Sequence, residues 1–314
     1  MRRSDALLSE LAMTTGFFVN LLYQYADNVA FLLLAALGLI IILGVLDIIN
    51  LAHGEMIMMG AYVTSITYHQ GLPLPACFGL SVLAVGFFGF LIERLVIRRF
   101  ARDKLGAMVA TWGISLMLSQ GVLIIFGPSM PPVPLPQWKM AFGGYSYSGY
   151  RLFLFGMALA AAFSLWLYFY KVRIGVFTRA TMQNAMMAGG LGINTERIGS
   201  LTFAIGAGLA GLTGALYAPT TTIVPLMGTT FTAMAFITVV VGGGANPILG
   251  ALGSSSFLAL IVTPLSSTLG TFVGRIGLLL AALVIIRFLP TGFSGFLRDL
   301  RRRKANGQPA EDLP

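Results

Sequence analysis

Nine apolar stretches, separated by glycine, proline or clusters of charge, constrain this chain more than any other feature. They run at Val29–Leu46, Glu55–Thr67, Pro75–Ile97, Ala107–Phe126, Leu152–Tyr170, Ile198–Tyr217, Thr230–Val241, Ile248–Leu265 and Thr271–Leu289. A bilayer core takes about 20 apolar residues per helix, and fewer where a helix is broken. Of the 314 residues, 57% are hydrophobic and 10% charged, against about 25% charged in soluble domains. The expected fold is an all-α polytopic membrane protein with eight to nine transmembrane helices. Residues 1–297 read as one transmembrane domain, and residues 298–314 as a basic, disordered tail. The second and seventh stretches are short, with Gly54 at the end of one and Gly242-Gly243-Gly244 and Asn246-Pro247 at the end of the other. Short, glycine-interrupted segments point to broken helices that line a path. Thr15–Tyr23 is too short to span alone; it either lies in the interface or extends the first crossing.

Charge placement orients the chain. Arg94, Arg98, Arg99, Arg102 and Lys104 follow the third crossing; Lys171, Arg173, Arg179 and Arg197 bracket the loop after the fifth; Arg298, Arg301, Arg302, Arg303 and Lys304 form the tail. Basic residues stay on the cytoplasmic side, so all three clusters and the C-terminus are expected inside. The net charge of +9 is then topological, and its juxtamembrane placement argues against nucleic acid as a partner. The loop Gly127–Tyr150 falls outside, stiffened by five prolines and carrying Trp138, Tyr145, Tyr147 and Tyr150, which suit a membrane interface. Nine crossings put the N-terminus outside, although Arg2 and Arg3 pull the other way.

The stretch Gly44–Tyr62 holds Asp47, Asn50, His53 and Glu55 within otherwise hydrocarbon-like sequence. Polar groups left unpaired in lipid cost several kcal/mol by rough estimate, so these four must face protein or a water path. Two readings stand. The cluster lines a translocation pathway, or it is a structural knot in which Asn50 and Glu55 satisfy backbone groups at a helix break. Glu55 is costly to ionise if buried, and needs a partner such as His53 or a backbone donor. Glu93 and Arg94 read as a solvated or headgroup-level pair, worth about 0–1 kcal/mol.

Other chemistries lose their support. One cysteine, Cys77, excludes an intrachain disulfide, and with only His53 and His69 beside it a structural zinc site has too few ligands. No Gly-Lys dipeptide of a phosphate loop occurs, no second histidine completes a zinc motif with His53, and no GxSxG turn is present. A chain of this kind moves solutes or binds partners.

Two further segments carry signal. Gly206, Ala210 and Gly214, with Ala207, Gly211 and Ala215 one step on, form columns of small residues that let a neighbouring helix approach closely. They serve packing within the subunit, a subunit interface or a sliding surface. No internal repeat is legible. The loop Lys171–Arg197 is long and rather apolar. Thr181–Leu191 reads as one short amphipathic helix with Met182, Met186 and Met187 near one face, stopped by Gly192, with Asn194 or Thr195 capping the next helix. It rests on the headgroups or docks in a groove of a cytoplasmic motor.

At this point the sequence resembles a family. Ile49–Val63 (INLAHGEMIMMGAYV), Ile92–Arg99 (IERLVIRR), Leu191–Ala218 (LGINTERIGSLTFAIGAGLAGLTGALYA) and Leu289–Gly295 (LPTGFSG) are similar to permeases of the bacterial importers, driven by ATP-binding-cassette motors, that take up branched-chain and other hydrophobic amino acids. The resemblance runs in order along nearly the whole chain. It implies an inner-membrane complex with a second, homologous permease, two cytoplasmic ATPases and an extracytoplasmic solute-binding protein. It implies no cofactor in this chain, ATP and magnesium being bound by the ATPases. It also implies that Arg179, Gln183, Asn184, Met186, Met187 and Gly192 belong to the ATPase-coupling segment. Branched-chain permeases often carry an acidic pair where this chain has Gln183-Asn184. Arg179–Ile193 also resembles the urea and short-amide branch, which leaves that solute class as an alternative. An ion-coupled carrier using Asp47 or Glu55, and a membrane subunit without a pathway, are the readings from other classes.

Overall fold

The computed structural model describes residues 2–100, 103–142, 145–244, 246–289, 291–296 and 298. It is built from helices α1 (Arg2–Leu46), α2 (His53–His69), α3 (Leu74–Leu95), α4 (Lys104–Phe126), α5 (Gly149–Lys171), α6 (Arg173–Gln183), α7 (Ala185–Gly190), α8 (Thr195–Tyr217), α9 (Met227–Gly242), α10 (Pro247–Leu269) and α11 (Thr271–Phe288). Short 3-10 turns lie at Ile97–Phe100 and Ala218–Thr220. Strands β1 (Lys139–Phe142) and β2 (Tyr145–Ser148) pair antiparallel, Lys139 opposite Ser148, as a small hairpin before α5.

Among the described residues, seven helices are long and apolar enough to cross a membrane: α1, α3, α4, α5, α8, α10 and α11. Helices dominate because a lipid-facing backbone must satisfy its N–H and C=O groups within its own segment. Helix α2, with 17 residues, and α9, with 16, are the two short ones. At a rise of about 1.5 Å per residue they span about 25 Å, less than the bilayer core. Thr15–Tyr23 is continuous with the first crossing, as part of α1.

Side-chain ties fix two faces. The end of α1 meets the start of α4 through Asp47 and Lys104. The end of α3 meets the start of α8 through Glu93 and Ser200. These define a basic face, where the described residues of the first two basic clusters lie, Arg102 falling outside them. The third begins at Arg298, and its other members fall outside the described residues, as does the tail 299–314. On the opposite face Arg151 pairs with Asp27 at 2.8 Å, Tyr23 bonds the backbone of Ser148, and Tyr150 donates to the Leu216 carbonyl at 2.8 Å.

The helix directions reveal an order that the sequence hides. Helix α1 runs to the basic face, the chain turns back through Asp47–Ala52, and α2 runs from mid-depth to the opposite face. Helix α8 runs away from the basic face, the chain turns back through Ala218–Leu226, and α9 runs from mid-depth to the basic face. Packing follows the same exchange: α3 lies on α8 as α10 lies on α1, and α2 lies on α8 as α9 lies on α1. Helices α1–α4 and α8–α11 are thus inverted counterparts, with α5–α7 inserted between them. The reading that found no internal repeat is corrected here at the level of helix order and packing.

Helices α1 and α8 form the centre. Leu33, Leu34, Leu37, Leu39, Ile41 and Ile42 of α1 are buried, as expected of a helix apolar on all sides. The small residues of α8 are spent inside this subunit. Gly206 faces Gly38 and Ile42 of α1, Gly211 faces Ser81 and Val85 of α3, and Gly214 faces Ile57 and Ala61 of α2. Ala210, fully buried, lies between them.

Two local expectations are corrected. The single helix expected over Thr181–Leu191 is two helices, because Asn184 adopts an extended backbone (φ −161°, ψ 102°) and caps α7 by accepting from Met187 N at 2.9 Å. Met182 accordingly turns inward against Gly44, away from exposed Met186 and Met187. Glu93 is not solvated: it is 3% exposed and bonded to Ser200 at 2.5 Å, while exposed Arg94 lies over the Phe90 ring.

Candidate functional site

The break between α1 and α2 is built from its own polar side chains. Asp47 takes a positive φ of 51°, a conformation that ends the helix and that Asp tolerates through its short polar side chain. Asn50 Oδ1 then accepts from Ala52 N at 3.1 Å. Thr111 of α4 braces the same segment from outside, its hydroxyl 3.2 Å from Leu51 N and 3.4 Å from the Ile49 carbonyl. These bonds satisfy backbone groups that a broken helix leaves open in lipid.

Helix α2 starts where this segment ends. His53 is fully buried, with Nε2 3.0 Å from the Ala35 carbonyl. A carbonyl only accepts, so Nε2 carries the proton. Ala35 lies about 16 Å above the end of α1 by helix rise, which puts the start of α2 near mid-membrane. Gly54 N donates to Thr232 Oγ1 of α9 at 2.9 Å, and the backbones of Gly54 and Gly228 touch. The first turns of α2 and α9 therefore meet at this depth.

Glu55 sits at that meeting point. It is fully buried, and its carboxyl lies against Gly228 in the first turn of α9. Ser115 of α4 and the Glu55 backbone N–H face its carboxyl, whereas His53 Nδ1 has no hydrogen-bond partner among the described residues. His53 is thus not the partner expected for Glu55; it bonds α1 instead. Two helix N-termini favour negative charge at the point they share, which is the electrostatic setting of the Glu55 carboxyl.

Asp47 does not join Asn50, His53 and Glu55. Its side chain is 73% exposed on the basic face and pairs with Lys104. The expectation of four clustered polar groups reduces to three, because the chain climbs from the basic face to mid-depth between Asp47 and His53. The metal reading gains nothing: no group of three or more His, Cys, Asp or Glu side chains able to hold an ion occurs among the described residues.

The loop residues gather on the basic face. Arg179 stacks over Tyr170, with its guanidinium carbon 4.4 Å from the ring centre. Gln183, Asn184, Met186 and Met187 are exposed, Met186 to 88%. Gly192, at φ +86°, closes α7: its N–H bonds Gly189 O at 3.0 Å and Ile193 N bonds Ala188 O at 3.1 Å, the paired bonds of a helix-ending glycine turn. Asn194 caps α8 through Arg197 N at 2.9 Å. A cleft of about 880 Å³ opens between the ends of α1, α6 and α9, lined by Gly44, Asp47, Arg179, Met182, Asn184 and Asn246 among others.

Sequence reasoning missed Thr111, Ser115, Thr232, Gly228 and Ser200. Each is a small residue that looks like packing until a distant segment is placed against it. It also missed Asp27 and Arg151, whose signal was legible: opposite charges flanking two apolar stretches.

Comparison with known proteins decides the lineage. The family described as branched-chain amino acid transport system / permease component matches residues 21–289. The chain belongs to that family. Among its relatives, LivH of Escherichia coli K12, a high-affinity branched-chain amino acid transport system permease, is 28% identical over 83% of this chain and 90% of its own length. BraD of Pseudomonas aeruginosa, of the same description, is 30% identical over 58% of this chain and 65% of its own length. LsrC of Salmonella paratyphi B, an autoinducer 2 import system permease, is 27% identical over 77% of this chain and 70% of its own. No solved structure matches the chain.

Proposed function

We propose that this chain is a permease subunit of an ATP-driven importer for branched-chain amino acids, working by alternating access. The family match over residues 21–289 carries this reading. The likeness to LivH and BraD favours branched-chain amino acids over urea or short amides. The basic face is cytoplasmic by the distribution of Lys and Arg, with the C-terminus on that side of a bacterial inner membrane. A second permease, two ATPases binding ATP and magnesium, and a binding protein at the opposite face complete the complex. Membrane lipid covers the outward apolar faces of the chain.

The roles divide within the site. Asn50 and His53 serve the fold, one holding the break and the other locking α2 to α1. Glu55, a carboxyl buried where two half-helices meet, is the group that acts during transport. When α2 and α9 part, its carboxylate meets the ammonium of a zwitterion, and the freed N–H groups of the two helix ends suit the carboxylate. Arg179, Gln183, Asn184, Met186, Met187 and Gly192 present the docking surface to a motor subunit. A ligand shifts such an equilibrium only by preferring one state, so ATP on the partners supplies the bias.

The test is uptake by the complete complex in liposomes. Labelled leucine should accumulate only with ATP and loaded binding protein, survive ionophores, and be displaced by valine but not by urea or acetamide. Accumulation by this chain alone, or collapse with the ion gradient, would end the proposal.

A further inference from the structure

The α6–α7 segment leads into a ring of polar side chains, in which Glu93 and Ser200 are buried and Arg98 is partly exposed. Helix α7 passes through Gly192 and Asn194 straight into the first turns of α8, which carry Glu196, Gly199 and Ser200. Ser200 is 3% exposed, and its hydroxyl lies 2.5 Å from Glu93 Oε2 of α3. Arg98, in the 3-10 turn after α3, donates to the same hydroxyl at 2.8 Å, and its Nε lies 3.7 Å from Glu93 Oε1. The hydroxyl has one proton. It accepts from Arg98 and donates to Glu93, so the three side chains close a ring. Glu196 adds an outer contact to Arg98 at 3.4 Å. Beside the ring, Gly199 packs on Leu46, the last residue of α1 before the break at Asp47.

This ring lies away from the meeting point of α2 and α9. Elsewhere α3 and α8 meet closely through Val82, Val85, Gly86 and Gly89 against Ala204, Ala207, Gly208 and Gly211. A charged ring bought at the cost of desolvation is kept best where it fixes one arrangement of two elements. Here the two elements are the helix that receives the docking segment and the helix that does not.

We propose that Glu93, Arg98 and Ser200 are positioning residues that clamp α3 to α8, so that displacement of the α6–α7 segment moves both helices as one body. Gly199 then presses that movement on Leu46, and through it on the re-entrant segment Asp47–Ala52 and the start of α2. The clamp deepens the permease reading and rests on it.

The experiment uses the assembled complex with Ser200→Ala and Glu93→Gln, and Ser200→Thr as the variant that keeps the hydroxyl. Assembly, basal ATP hydrolysis, its stimulation by loaded binding protein, and solute imported per ATP are measured. Loss of a hydrogen bond to a charged group is expected to lower solute per ATP by about tenfold or more. Assembly and basal hydrolysis should stay near wild type, stimulation should be lost, and Ser200→Thr should recover most of it. Unchanged solute per ATP in Ser200→Ala and Glu93→Gln overturns the clamp. So does failure of both to assemble, since the ring is then a folding element. If the wild-type complex shows no ATP-dependent uptake, the permease reading itself falls and takes the clamp with it.

Discussion

Gly54→Ala tests whether the two half-helices meet as described. A Cβ built on Gly54 lies 2.7 Å from the Gly228 carbonyl carbon, and closer still to that carbonyl's oxygen and to Thr232 Oγ1. Carbon atoms pack best at about 3.5–4.0 Å, so α2 and α9 must part by about 1 Å. The obstacle is backbone, which cannot swing away as a side chain does. Overpacking of this kind costs about 1–3 kcal/mol. The same displacement stretches the Gly54–Thr232 hydrogen bond, worth about 0.6–1.7 kcal/mol inside a membrane protein. Alanine's better helix propensity returns about 0.5–1 kcal/mol at most. The net expectation is destabilisation of about 1–4 kcal/mol. Gly113→Ala in α4 is the control, since its added Cβ meets nothing within 4 Å and should be neutral or slightly stabilising. Cys77, the only cysteine and fully buried, gives the readout: a thiol-reactive dye reports its exposure as purified protein is heated in detergent. Gly54→Ala should label at lower temperature than wild type, and Gly113→Ala at the same or higher temperature. The reverse order would refute the Gly54–Gly228 contact.

Other expectations follow from the same site. Asn50→Leu leaves Ala52 N without its acceptor, a loss of about 1–3 kcal/mol. Uptake should be abolished and the Cys77 labelling temperature lowered. Glu55→Gln removes a buried carboxyl; the expected outcome is uptake cut by tenfold or more with labelling temperature unchanged or raised, the trade typical of functional groups. A lowered labelling temperature would instead make Glu55 a structural partner. Asp47→Asn should leave uptake near wild type, because the Lys104 pair is exposed and worth about 0–1 kcal/mol. Asp47→Val should label early, since a β-branched residue at a φ of 51° costs about 1–2 kcal/mol or more.

What the sequence disclosed divides along physical lines. Apolar runs report removal from water, whether against lipid or against other helices, so all nine stretches correspond to helices, and the two short ones are those that start inside the membrane. Local capping was equally legible at Gly192 and Asn194, because a cap needs only residues three or four positions away. Asn184 was not, since its extended backbone interrupts an otherwise helix-forming run. Long-range partners left no trace. Glu55 and His53 were visible as anomalies, but nothing in the chain says that His53 turns to Ala35 and Glu55 to Gly228. Asp47 was grouped with them by proximity in sequence, yet the few extended residues between carry His53 far from the basic face.

The inverted pairing of α1–α4 with α8–α11 explains why the repeat is illegible and why the site lies where it does. Buried helix faces ask only for small or apolar side chains, so counterpart positions need share no identity. Inversion constrains direction, not residues. It also brings the starts of α2 and α9 to the pseudo-axis, because each break turns its chain back to the same depth from opposite faces. Under the proposed alternating access, a site made there is one that both halves can open in turn. Glu55 and His53 lie fully buried at that point. On that reading, parting the two half-helices hydrates these polar groups, which lowers the work asked of the motor subunits.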